Sequence, residues 1–327
     1  MEHTGLYPSI CARRSPINNM LTRVVLKFRV ALICMAALFF VAGPAFAACP
    51  AEQEPASVIE SPVLRVVTLN VAHGRKDGMN QVLQKTETIN NNLREVARVL
   101  KLADAHVVAL QEADAESSWS GKFNHVEFLA EQADYPCAFH GVHANGRWYD
   151  FGTALISKHP FSGTFSYSFK PSKPTITKGF VVGALDWNPG NALADAMRIK
   201  LVSVHLDYSR RSVRRSQIDE MVGVLAKLEG PMVLMGDFNT DWLNKDSSLK
   251  YLAEQLGLDV FKPHAEGLAT YGDKGARLDW ILISPELGFN KYAVLTDVVS
   301  DHYAVAAEIV IREHPCTANC ETANTGY

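Results

Sequence analysis

The sequence predicts an α/β fold of two sheets flanked by helices. Three observations predict it. Short β-branched runs outnumber amphipathic helical stretches, the two kinds of element are intermingled along the chain, and 47% of the 327 residues are hydrophobic, enough for one large core. With 20% charged residues and no repeat or biased tract, the chain is not disordered, fibrous or a small disulfide scaffold.

Taken in order, the first element is an address. Arg23, Lys27 and Arg29 precede an uncharged run of 13 residues, 30–42, and then Ala45 and Ala47 in an Ala-x-Ala pattern. This is the layout of a secretory signal peptide over 1–47, cut before Ala48. The run is too short for a stable membrane span, and Met20 is a candidate for the true start. A rival reading makes Cys49 the lipidated first residue of a lipoprotein; Phe46, three positions earlier, is atypical for that. Cys11 and Cys34 leave with the leader. The even set Cys49, Cys137, Cys316 and Cys320 suits a periplasmic or extracellular location, with three possible pairings. Cleavage removes five basic residues and Glu2. The remaining 280 residues carry 27 Lys and Arg against 34 Asp and Glu, a net charge of −7, which excludes a general polyanion binder.

A polar lead-in over 48–62, one undivided domain over 63–312 and a polar tail over 313–327 are expected next. Strand 64–71 ends in Asn70-Val71-Ala72-His73. Ile89, Leu93, Val96 and Leu100 recur at helical spacing and predict a helix over 86–102. Strand 105–110 runs into Gln111-Glu112. Strands follow at 153–157, 180–185 and 199–205, the last ending in His205-Leu206-Asp207. Ile218, Met221, Leu225 and Leu228 predict a helix over 210–229. Strand 232–235 ends in Gly236-Asp237-Phe238-Asn239. Strand 278–284 opens on Leu278-Asp279-Trp280, and Ser300-Asp301-His302 precedes strand 303–311. Polar clusters at strand ends are where a rigid scaffold places chemistry.

The order and spelling of seven segments resemble the endonuclease/exonuclease/phosphatase superfamily. They are Thr68-Leu69-Asn70-Val71, Leu110-Gln111-Glu112, Gly152-Thr153-Ala154-Leu155-Ile156-Ser157, Val204-His205-Leu206, Gly236-Asp237-Phe238-Asn239, Leu278-Asp279-Trp280 and Ser300-Asp301-His302-Tyr303. The resemblance spans 63–312. It implies a DNase I-like four-layer α-β-β-α sandwich of two packed mixed sheets, with the site at one edge. It also implies metal-dependent hydrolysis of a phosphoric ester, in which a hard divalent cation, Mg²⁺ or else Mn²⁺ or Ca²⁺, relieves the charge on a phosphoryl oxygen.

By that pattern Glu112 and Asn70 are metal ligands, and Asp301 is a ligand or supports one. Asp237 orients and deprotonates water, and Asn239 donates to the developing phosphorane. His205 and His302 are cationic partners, one of them able to protonate the leaving oxygen, with Asp279 orienting His302. Asp207 is either an acidic group of the site or a turn cap. His73 lies near the metal position, whereas Ala72 stands where some nuclease relatives carry a further acid, which counts against a second metal.

Arg210, Arg211, Arg214 and Arg215 are read either as a phosphate grip or as a solvated helix face. The aromatics Trp119, Trp148, Tyr149 and Trp242 serve packing or recognition. The expected substrate is a phosphodiester of nucleic acid or phospholipid, handled by a monomer. A phosphomonoesterase of the same fold and a non-catalytic binding module remain the alternatives.

Overall fold

The computed structural model describes residues 45–49, 58–190, 196–272 and 275–312, all within one compact unit, Ala42–Tyr327. Most of the expected leader, the tail 313–327, and Cys316 and Cys320 lie outside the described residues. Ala45–Ala47, at the end of the expected leader, belong to a strand, β1 (Ala45–Ala48).

Two seven-stranded sheets carry the fold. The first runs β1, β5 (Cys137–Asn145), β6 (Asp150–Ser157), β4 (Val107–Asp114), β3 (Leu64–Asn70), β14 (Val305–Ile311), β13 (Leu287–Val294). The second runs β11 (Asp259–Val260), β12 (Asp279–Ile283), β10 (Met232–Asp237), β9 (Met197–His205), β8 (Gly179–Asn188), β2 (Ile59–Glu60), with β7 (Gly163–Ser168) also on β8. Each mixes parallel and antiparallel neighbours: β3–β4 and β9–β10 are parallel, β4–β6 and β10–β12 antiparallel.

Strict alternation sorts the apolar side chains into three layers, because successive residues of a strand face opposite sides. Val66, Val107, Ala109, Leu201, Val233, Met235 and Ile281 point into the space between the sheets. Their neighbours Val67, Val108 and Leu110 meet α1 (Thr86–Ala103) and α2 (His125–Gln132) on the outside of the first sheet. Val202, Val204, Leu234 and Leu282 meet α3 (Arg211–Leu225) and α4 (Ser248–Leu256) outside the second. The result is the expected four-layer DNase I-like sandwich.

Local chemistry sets the helix ends. Ile89, Leu93, Val96 and Leu100 form the buried stripe of α1. Asn124 caps α2 by accepting from Val126 N and Glu127 N, and Ser247 caps α4 through Lys250 N. Gly257 ends α4 at φ 62°, in the left-handed region that glycine occupies without strain. Cys49 and Cys137 form a disulfide that ties the lead-in to β5, one of the three pairings left open by the sequence. No described helix is long and apolar enough to cross a membrane.

Candidate active site

Register gathers the predicted residues at one end of the strands. Across the second sheet, Asp237 pairs with His205 on β9 and with Asp279 on β12, so three polar side chains stand in one row. Gly236, at φ 149°, lets β10 close on β9 just before that row, since a Cβ there would lie 2.0 Å from Val204 O. In the first sheet Asn70 pairs with Gln111 at the parallel end of β3 and β4.

A bulge places Glu112. The β4–β6 register shifts between Gln111 and Ala113, and Glu112 takes φ 50°. Gln111 faces the other sheet, bonding Ser203, and Ala113 belongs to the helix-side core. The extra residue between them is freed from both faces and aims along the strand end. Ala72, His73 and Asn239 also hold positive φ, so left-handed non-glycine backbone is concentrated here.

Asp237 is the hub, 1% exposed. Its Oδ2 accepts from Asn70 Nδ2 at 3.0 Å and Asn239 Nδ2 at 3.2 Å, and its Oδ1 accepts from Asn239 N at 2.9 Å. His205 Nε2 and His302 Nε2 stand 3.4 and 3.8 Å from the same Oδ2. Burial raises the Asp237 carboxyl to about 7, even though His302 opposes the rise.

Asp279 Oδ2 accepts from His302 Nδ1 at 2.8 Å and from Thr270 Oγ1 at 2.7 Å. Burial disfavours the His302 cation, but Asp279 and then Asp237 outweigh it and raise the ring to about 10. His302 is therefore an imidazolium at neutral pH. His205 differs from the expectation of a second cation: burial, reinforced by Lys178, pushes it well below its ordinary value.

Glu112 lies among cations. His73 Nε2 is 3.4 Å from Oε2, and Lys178 Nζ and His205 Nε2 are each 3.8 Å from Oε1. Burial works against the Glu112 carboxylate, but His73 and Lys178 hold it ionised. Asp114 in turn holds His73 through Nδ1 at 2.7 Å and raises it against burial.

Four further predicted residues are held by partners of their own. Asp301 pairs with Arg75 at 2.6 Å and adds to the charge that raises His302. Asp207 accepts from Ser209 N and Arg210 N, the turn-cap role. Trp119 stacks on Tyr149 at 4.7 Å and donates to Asp114 Oδ1, while Trp242 approaches Trp280 at 6.4 Å.

The four arginines spend their guanidinium groups on the protein. Arg210 donates to Lys173 O, Ser172 Oγ and Thr175 Oγ1, fastening the loop before Lys178. Arg211 pairs with Asp246, Arg214 donates to Asp207 O, and Arg215 covers the Tyr251 ring. Sequence reasoning missed Lys178, which is 7% exposed at the entry of β8, and the supporting Asp114, Thr270 and Arg75. A cation opening an otherwise apolar strand, Thr177-Lys178-Gly179-Phe180, was the available signal.

A family profile described as Endonuclease/Exonuclease/phosphatase family matches residues 67–302. The chain belongs to this family. Membership of the endonuclease/exonuclease/phosphatase family suggests a phosphoric-ester hydrolase, and its enzymes are typically divalent-metal dependent. No curated protein matches the chain. Among solved structures, a family member from Beutenbergia cavernae is 20% identical, TM-score 0.60, covering 76% of this chain and 72% of its own. One from Leptotrichia buccalis is 19% identical, TM-score 0.59, covering 75% and 99%. A mannosyl-6-phosphatase from Bacteroides thetaiotaomicron is 16% identical, TM-score 0.54, covering 76% and 100%. At these identities the likeness is one of fold.

Two places offer cation ligands among the described residues. Asp237, Asp279 and His302 bring ligand atoms within 4.8 Å of one another. There, however, the imidazolium has no lone pair to give, its Nδ1 being bonded to Asp279. Glu112 fits better. It is an ionised carboxylate whose nearest cationic nitrogen stays 3.4 Å away, and the Asn70 Oδ1, with one bond from Ala72 N, keeps a lone pair.

Proposed function

We propose that this chain is an exported, divalent-metal-dependent phosphodiesterase acting on nucleic acid or phospholipid headgroups. The observation that carries the reading is Asp237. It is a buried carboxylate with proton affinity near neutrality, oriented by two asparagine side chains and set between a neutral and a charged histidine.

Glu112 and the Asn70 carbonyl oxygen would hold the cation, Mg²⁺ or else Mn²⁺ or Ca²⁺, which when bound supplies positive charge at a non-bridging phosphoryl oxygen. Asp237 takes a proton from the attacking water as its oxygen bonds to phosphorus. Asn239 keeps Asp237 aligned through its backbone N and its amide, whose second N–H goes to Leu206 O. The His302 imidazolium, held by Asp279, neutralises developing charge and gives its Nε2 proton to the leaving oxygen as the ester bond breaks.

The test is a substrate panel: plasmid DNA, RNA, sphingomyelin, an aryl phosphodiester and inositol phosphates, each with Mg²⁺, Mn²⁺, Ca²⁺ or chelator. Turnover of a diester that needs the cation and falls at least about 100-fold in Asp237→Asn is expected. Equal rates in wild type and variant would end the catalytic reading, and turnover unaffected by chelator would end the role given to Glu112.

A further inference from the structure

Lys178, 3.8 Å from Glu112, takes no step in the mechanism above, yet it is buried against the site. It opens β8 one residue before Gly179, and its Nζ sits 3.2 Å from His205 Nδ1 and 5.6 Å from the Phe151 ring centre. The position is built. A Cβ on Gly179 would meet Tyr167 O at 2.3 Å and His143 Nδ1 at 2.4 Å, so the backbone beside Lys178 packs too closely for any side chain. Arg210 pins the preceding loop through Ser172, Lys173 and Thr175.

The chemistry of the contact is directional. Burial works against the Lys178 charge, but Glu112 Oε1 at 3.8 Å supports it, and an ammonium has three donors and no acceptor, so the nitrogen it touches must accept. We propose that Lys178 is a positioning residue that fixes His205 as the neutral tautomer with its proton on Nε2. Nε2 is the atom facing Asp237 Oδ2 and Glu112 Oε1, where the reacting phosphate would lie. His205 then donates a hydrogen bond to a phosphoryl oxygen and cannot accept a proton from water or substrate. Proton transfer falls to Asp237 and His302, and the two histidines do different work. This rests on the phosphoric-ester reading for its substrate, but the tautomer itself does not.

The test uses ¹⁵N long-range spectra of the histidine rings in wild type held in chelator, together with kinetics of the metal-supplied enzyme. Wild type is expected to show His205 with Nδ1 bare and hydrogen-bonded and Nε2 protonated. Lys178→Met is expected to lose that signature, averaging the two nitrogens, and to lower kcat roughly 100-fold with little change in KM, the size of one lost oxyanion donor. Lys178→Arg, again a donor-only cation, restores the signature and most of kcat.

A protonated Nδ1 in wild type, or an unchanged His205 spectrum in Lys178→Met, would overturn the proposal without reference to activity. The expected spectrum in a wild-type protein that cleaves none of the panel substrates would instead overturn the hydrolase reading and support the tautomer.

Discussion

Replacing Asp279 by Asn separates the charge on His302 from its position. The amide keeps the shape and can still accept from Thr270 Oγ1, but it cannot balance an imidazolium. His302 is raised from 6.5 to about 10. At about 1.4 kcal/mol per unit, that rise corresponds to roughly 5 kcal/mol of native-state stability. Asp279, the leading charge behind the rise and the one that bonds the ring, carries most of it, so about 3 kcal/mol is expected to go.

The sign is definite. A raised histidine stabilises fully below its unfolded value of 6.5, and that stability fades as pH climbs through 10. Urea unfolding of wild type and Asp279→Asn at pH 6, 8 and 10.5 should therefore show a gap that is largest at pH 6 and closes at pH 10.5. With Asp237 still supporting its charge, the variant ring should titrate well below wild type, and kcat at pH 7.5 should fall on the order of 10,000-fold, as when the orienting carboxylate of a triad is neutralised. A His302 ring that titrates in the variant as it does in wild type, or a gap independent of pH, would refute the reasoning.

Asp237→Asn should be inactive yet more stable than wild type at pH 8. The raised carboxyl makes wild type lose stability as pH rises from about 4 to 7, a loss the amide escapes, so the Tm difference should shrink at pH 4. Glu112→Gln should weaken Mg²⁺ at least about 10-fold, read as loss of the Mg²⁺-induced rise in Tm that wild type shows. Arg210→Ala should cost about 1–3 kcal/mol in urea and lower kcat by loosening the loop before Lys178. Arg211→Ala, whose partner Asp246 is exposed, should change stability by less than about 0.5 kcal/mol and leave KM for a diester alone. An equal KM rise in both arginine variants would favour the phosphate grip over the solvated helix face.

The apolar runs of β3, β4, β9, β10 and β12 are visible in the chain because each strand packs on both faces, and a two-sided core forces apolar residues at nearly every step. β5, β7 and β13 escaped. β5 threads buried His140 and His143 among its apolar residues, and β13 exposes Asn290 and Lys291, so neither shows a clean period. α4 is only nine residues, short for a periodic signal.

In the site, Asp237, His205 and Asp279 were legible because strand ends in register must meet. The pairing of Asp301 with Arg75 was not, since 226 residues separate the partners and neither is special alone. Nor was the division of labour between the histidines. That depends on Lys178 approaching one ring and Asp279 the other, which is a matter of packing and not of spelling.

The backbone at Glu112 and Asn239 has a practical meaning for anyone breeding this protein for robustness. Both sit at φ 50°, where glycine rests more easily than a branched or charged residue. Each side chain is there at the expense of a more comfortable backbone, and Asp237 stays ionised at pH 8 against its burial. A library ranked by heat tolerance alone would tend to enrich changes at these three positions and return hardier, idle proteins. Screening for survival and for turnover together is the selection this scaffold requires.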